Sequence, residues 1–187
     1  DRCLSRGLGD VYKRQVVPLD SEPLWVAAQE IFPPILYDAW NAKISQATGF
    51  EVVSLGTSLR GIDIPMIDSN PDGREVLLLI GRQHPPEVSG AVAFLAFAEV
   101  IFGDSDLAVR FRDRYRVIAV PMLNPDGIIG GNWRHNLGST DLNRDWGLFR
   151  QPETAAVGRL LDRLDSEGSR LRVFLDFHST RENIFYT

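Results

Sequence analysis

The chain has 187 residues, a formal net charge of -5 and a single cysteine. An acidic balance offers no broad basic surface to neutralise phosphates, so no nucleic-acid partner is expected. Cys3 alone allows neither an internal disulfide nor a cysteine-based zinc site, so any metal must be held by histidine and carboxylate. With 44% hydrophobic and 24% charged residues, the composition is that of one globular domain with a real core.

Residues 1–15 lack both the apolar core of a signal peptide and amphipathic periodicity. They read as a non-native, linker-like tail, and setting them aside leaves a more acidic remainder. Residues 16–49 form the N-terminal segment of the domain. Val16 to Pro34 shows no clear period, and Ile35 to Gln46 predicts a short helix ending near Gly49. The main domain occupies 50–187. Phe50 to Leu55 and Ile62 to Ile67 read as strands, and the turn Asn70-Pro71-Asp72-Gly73 leads to a third, Glu75 to Ile80, which suggests a β-meander. The unbroken apolar run Val76 to Ile80 suits a central strand buried on both faces.

Glu87 to Phe102 is apolar on most sides, too short and too interrupted by Glu99 for a membrane span, and predicts a buried helix packed on a sheet. A polar helix over Asp104 to Arg112, a strand over Arg116 to Val120, a helix over Pro152 to Asp165 and a buried strand over Leu171 to Phe177 follow. This order implies an α/β fold with a mixed, mostly buried central sheet covered by helices on both faces.

His84 and Glu87 lie where the buried strand turns into the buried helix, three residues apart, so both can reach one ion. His178 sits at the end of another buried strand, at the sheet edge where sites assemble in α/β folds. Imidazole and carboxylate are good zinc donors, and three protein ligands leave a position for water. Taken alone, His-x-x-Glu could equally be a capping glutamate beside a turn histidine. The middle of the chain adds Asn124-Pro125-Asp126-Gly127, Gly131-Asn132-Trp133-Arg134 and Asp141-Leu142-Asn143-Arg144-Asp145-Trp146, followed late by Asp176-Phe177-His178-Ser179. Asn-Pro-Asp-Gly occurs twice, and its first copy is a turn, so the second could be only a turn as well.

In this order the segments resemble the M14 zinc metallocarboxypeptidases, most of all their cytosolic-carboxypeptidase branch, from about Leu55 to Thr187. The resemblance implies one zinc ion per chain on His84, Glu87 and His178, with zinc activating a water. It makes Arg134 the catalytic stabiliser of the oxyanion, and Asn143 and Arg144 the clamp for the terminal carboxylate of a peptide or protein substrate. Asp176 is expected either to orient His178 or to face the other side of its strand. His135 reads as a solvated loop histidine, and Trp133 and Trp146 as packing beside the arginines, with substrate contact as the minor alternative.

The family also uses a general-base glutamate and a loop tyrosine, both well downstream of the third ligand. After His178 the only carboxylate is Glu182, which reads as an exposed loop residue. The general base is therefore expected beyond Thr187, in a domain truncated within an apolar run, Ile184 to Thr187, and the 187-residue piece is expected to hydrolyse peptides poorly. Two other functions stay open: a zinc deacylase of N-acyl amino acids, and a non-catalytic protein that binds C-termini. The compartment is open too, cytoplasmic or, if a signal peptide is missing upstream, periplasmic or secreted.

Overall fold

The computed structural model describes Glu30 to Thr180, with Ser21 and Ile184. The linker-like tail, most of the aperiodic stretch after it, Glu182 and most of the final apolar run fall outside these residues. The chain divides into two units, 1–30 and 31–187, and the second carries the fold.

Helix α1 spans Pro34–Thr48, with proline in its first turn, where a missing N–H costs nothing. Gly49 ends it at φ 76°, returning its N–H to the carbonyl of Ser45. Strands β1 (Val52–Thr57) and β2 (Asp63–Asp68) pair antiparallel, and β3 spans Glu75–Gly81. Helices α2 (Val88–Phe102) and α3 (Asp106–Arg114) lead to β4 (Arg116–Val120). A short helix α4 (Pro125–Ile129), a 3-10 turn (Leu142–Arg144), helix α5 (Pro152–Ser166) and strand β5 (Arg170–Phe177) complete the order.

The sheet runs β1-β2-β4-β3-β5, so the expected meander is not formed. Asn70 to Gly73 does turn the chain, with Gly73 donating to the carbonyl of Asn70, but β3 lands one strand further on. β4 fills the gap, antiparallel to β2 and parallel to β3. Burial explains the choice. Val76, Leu78 and Ile80 of β3 pack under α5 with Ile118, Val120 and Val157, while Leu77 and Leu79 pack on the opposite face with Trp40, Phe94 and Ala98 of α1 and α2. A strand that is apolar on both faces belongs in the middle of a sheet with helices on each side.

Two expectations of full burial are corrected. Helix α2 buries the stripe Val88, Ala91, Phe94, Ala98 and Phe102 but leaves Val92, Phe97 and Val100 exposed, because a helix lying on a sheet touches it along one stripe. Strand β5 forms over the expected residues, yet Leu171, Val173 and Phe174 are exposed. Among the described residues it is an edge strand with β3 as its neighbour, and an apolar run records a preference for burial without supplying the cover. Among the described residues no helix is long and apolar enough to cross a membrane.

Leu142 ties this core to the loops above it, since it is fully buried among Ile80, Val120 and Leu160 while starting the 3-10 turn. Replacing Leu142 with alanine is expected to destabilise the chain by about 2–5 kcal/mol, the usual result of a cavity at a fully buried leucine. Urea unfolding of both forms measures it.

Candidate metal centre

Three adjacent parallel strands, β4, β3 and β5, end at one level, with Ile80 opposite Val120 on one side and Asp176 on the other. After β3 the segment Arg82 to Glu87 turns into α2. Arg82 adopts φ 54°, an uncommon conformation for a side-chain-bearing residue. Its buried guanidinium holds it there: Nε donates to the carbonyl of Pro85 and a terminal nitrogen to the Tyr37 hydroxyl, each at 2.8 Å. The second Asn-Pro-Asp-Gly copy is more than a turn. Asn124 caps α4 by accepting from the N–H of Gly127, and its amide donates to the carbonyl of Gln83 at 2.8 Å. Gly127 is required there, because a Cβ would lie 2.7 Å from the Asn124 side chain and 2.8 Å from Pro85.

His84, Glu87 and His178 are brought together as expected, with one ligand atom from each lying within 4.8 Å of the others. Nδ1 of His84 pairs with one oxygen of Glu87 at 2.7 Å, and Nδ1 of His178 with the other at 2.8 Å. Each ring is held from behind by a different carboxylate: Nε2 of His84 meets Asp141 at 2.9 Å, and Nε2 of His178 meets Asp176 at 2.8 Å. Asp176 thus faces His178 and not the opposite side of β5. This donor set fits zinc, since both Nδ1 atoms and a carboxylate converge while carboxylates fix the distal nitrogens, the arrangement that orients metal-bound imidazoles. Close approach at Gly90 makes it possible: a Cβ there would sit 2.6 Å from the His178 carbonyl oxygen.

Asp141, the first residue of the Asp-Leu-Asn-Arg motif, takes a role that the sequence does not show. One of its oxygens accepts from the backbone N–H of Asn143 at 2.9 Å and also meets His84, while the other accepts from Nε of Arg134 at 2.7 Å. One carboxylate therefore starts the 3-10 turn, fixes a ring of the His-Glu-His group and places Arg134. Among the described residues the terminal nitrogens of Arg134 make no hydrogen bond, and the exposed Arg144 donates only to the carbonyl of Asn143. Its aspartate in the helix-capping position before Leu142 was the available signal.

Trp133 is corrected: it is 83% exposed, so among the described residues it is not packed beside Arg134. Trp146 does pack, edge-on to Phe149 and Phe174 beside the core. His135 is exposed, as expected of a loop histidine.

A profile of the zinc carboxypeptidase family, peptidase M14, matches residues 37–149. The chain belongs to the zinc carboxypeptidase family. Cytosolic carboxypeptidase 3 of Bos taurus is 35% identical over 129 residues, which are 66% of this chain and 13% of that protein. Cytosolic carboxypeptidase 6 of Caenorhabditis elegans is 32% identical over 136 residues, 67% of this chain and 30% of that protein. The chain therefore spans less than a third of these relatives. Among solved structures, a metallo-carboxypeptidase from Burkholderia cenocepacia superposes with a TM-score of 0.66 at 26% identity, covering 77% of this chain and 40% of that one. A metallo-carboxypeptidase from Pseudomonas aeruginosa, solved with (2-guanidinoethylmercapto)succinic acid, gives 0.62 at 28% identity over 79% of this chain and 40% of that one.

In this zinc carboxypeptidase-family chain, burial acts against the charges of Glu87, Asp141 and His178 and is outweighed by pairing. Burial would raise Glu87, but hydrogen bonds from His178 and His84 hold it at about 2. Burial also opposes Asp141, which His84, Arg134 and the N–H of Asn143 bring to about 2. His178 moves the other way: burial would lower it, but Asp176 and Glu87 raise it to about 10.

These directions set the pH behaviour of the metal-free chain. The raised His178 contributes stability that is complete below its ordinary 6.5 and is lost as pH rises through about 10. The lowered Glu87 contributes stability that is complete above its ordinary 4.5 and is lost as pH falls through about 2. Thermal unfolding in chelator is expected to show a pH-dependent loss between 6.5 and 10 that is absent from the His178→Gln variant.

Proposed function

We propose that the protein is a zinc metallocarboxypeptidase that removes a residue from the C-terminus of a peptide or protein. The observation that carries this reading is the convergence of two Nδ1 atoms and the Glu87 carboxylate, with the Arg134 guanidinium tied to His84 through Asp141. His84, Glu87 and His178 would hold one zinc ion. When bound, zinc polarises a carbonyl and lowers the pKa of water toward neutrality.

The remaining roles belong to side chains of this chain. Arg134, fixed at Nε by Asp141, would direct its terminal nitrogens at the oxygen on which charge develops. Asn143 and Arg144 would receive the terminal carboxylate of the substrate, and a guanidinium can give that group two parallel hydrogen bonds. A cation at that place favours cleavage next to a free C-terminus over cleavage within a chain. Both carboxylate oxygens of Glu87 and of Asp141 are hydrogen-bonded within the protein, which leaves neither group free to accept a proton from water, and Asp176 is held on His178 through one oxygen. That commitment favours a second reading for residues 1–187 by themselves: they bind C-termini and cut them slowly.

Two measurements test these roles. Calorimetry in buffers of different ionisation enthalpy is expected to show one zinc per chain with release of the His178 proton near pH 7.5, so affinity climbs about tenfold per pH unit below 10. Uptake without proton release would contradict the assignment of His178. The zinc-loaded chain is also expected to bind peptides with a free C-terminus and to lose about 10–100-fold in affinity when the peptide is amidated or Arg144 becomes alanine. Equal binding of both peptides would remove the clamp, and fast turnover by the 187-residue chain would show that it holds a working general base and would overturn the slow-cutting reading.

A further inference from the structure

Gln83 lies between two of the groups that build the metal centre and takes no part in the roles above. Its side chain is fully buried, and its amide nitrogen donates to Oδ2 of Asp176 at 2.5 Å, with Nε2 of His178 3.5 Å away. The same Asp176 oxygen meets Nε2 of His178. The orientation of the amide follows from its partner, because the reverse arrangement would set Oε1 against a carboxylate. Among the described residues, Oε1 of Gln83 and Oδ1 of Asp176 are both buried without a hydrogen-bond partner. An unpartnered buried amide oxygen costs free energy that a leucine at this position would avoid, so packing does not account for a glutamine here. What the glutamine provides is its donor. The backbone end of the residue is fixed as well, since the carbonyl of Gln83 accepts from Asn124.

We propose that Gln83 is a positioning residue of the metal centre: its amide holds the Asp176 carboxylate on Nε2 of His178 and so keeps Nδ1 of that ring turned toward Glu87. The contact links the loop after β3, which carries His84, to the end of β5, which carries His178. It aligns ligands from two different strands without touching the ion. The inference rests on the proposed zinc site and adds to it a residue that sets how well the site is formed.

Zinc affinity, read by competition with a chromophoric chelator, and the visible spectrum of the cobalt(II) form test it in the 187-residue chain. Gln83→Leu and Gln83→Met are expected to weaken zinc binding by about 10–100-fold, the usual effect of losing a group behind a metal ligand, and to shift the cobalt bands. Adding Gln83→Leu to Asp176→Asn is expected to cost little more than Asp176→Asn alone, because both changes break one contact. Gln83→Met keeps length and volume without a donor, so it gives the reading if the leucine variant does not fold. Wild-type affinity in a folded Gln83 variant, or losses that simply add in the double variant, would overturn this inference and leave the metal site standing. A wild-type chain that takes up no zinc would overturn the zinc site and the inference together.

Discussion

The parallel alignment of β4, β3 and β5 is the constraint on which the site depends. Hydrogen bonding between neighbouring strands brings their carboxyl ends to one level, and each strand then delivers one part of the centre. β3 leads to Gln83, His84 and Glu87, β4 to Asn124, and β5 to Asp176 and His178. Residues nearly a hundred positions apart in the chain become hydrogen-bonded neighbours because the backbone ladder leaves them no other place. The apolar side chains of β3, buried on both faces, hold that ladder rigid.

On this frame the electrostatics are arranged in layers. Glu87 stands between two imidazoles, and a separate aspartate stands behind each imidazole. Without a metal, protons balance the negative charge, which is why His178 is raised so far. A divalent cation at the same place would supply that balance, so metal uptake and proton loss are two sides of one equilibrium. Asp141 extends the arrangement outward through Arg134 and the N–H of Asn143, and so couples the candidate metal site to the groups proposed to meet a substrate. That coupling passes through a single carboxylate and needs no movement of the sheet.

Small backbone devices fix the path of the chain around the centre. Gly90 lets α2 press against the end of β5, and Gly127 lets the cap at Asn124 fold beneath Pro85. Arg82 holds its own left-handed backbone through Tyr37 and Pro85. The last two devices act on the short segment Arg82 to Glu87, whose path decides where His84 and Glu87 point.

Much of this was legible in the sequence. Strand and helix positions followed from apolar runs, capping residues and glycines, since these are local preferences with local causes. The metal-ligating residues His84, Glu87 and His178, and the polar residues Arg134, Asn143 and Arg144, could be picked out because their residue types and spacings resemble a known family. Strand order could not be read, because hydrophobicity states that β3 must be covered and not which strand lies beside it. The exposure of β5 and of the outer face of α2 was hidden for the same reason. Asp141, Gln83 and Asn124 were visible as letters, but their work depends on distances across the fold. The sequence by itself determined the elements and the chemical groups available to the site. Only the tertiary structure decided which polar group stands behind which ligand, since a hydrogen bond depends on a separation of about 3 Å that chain spacing does not encode.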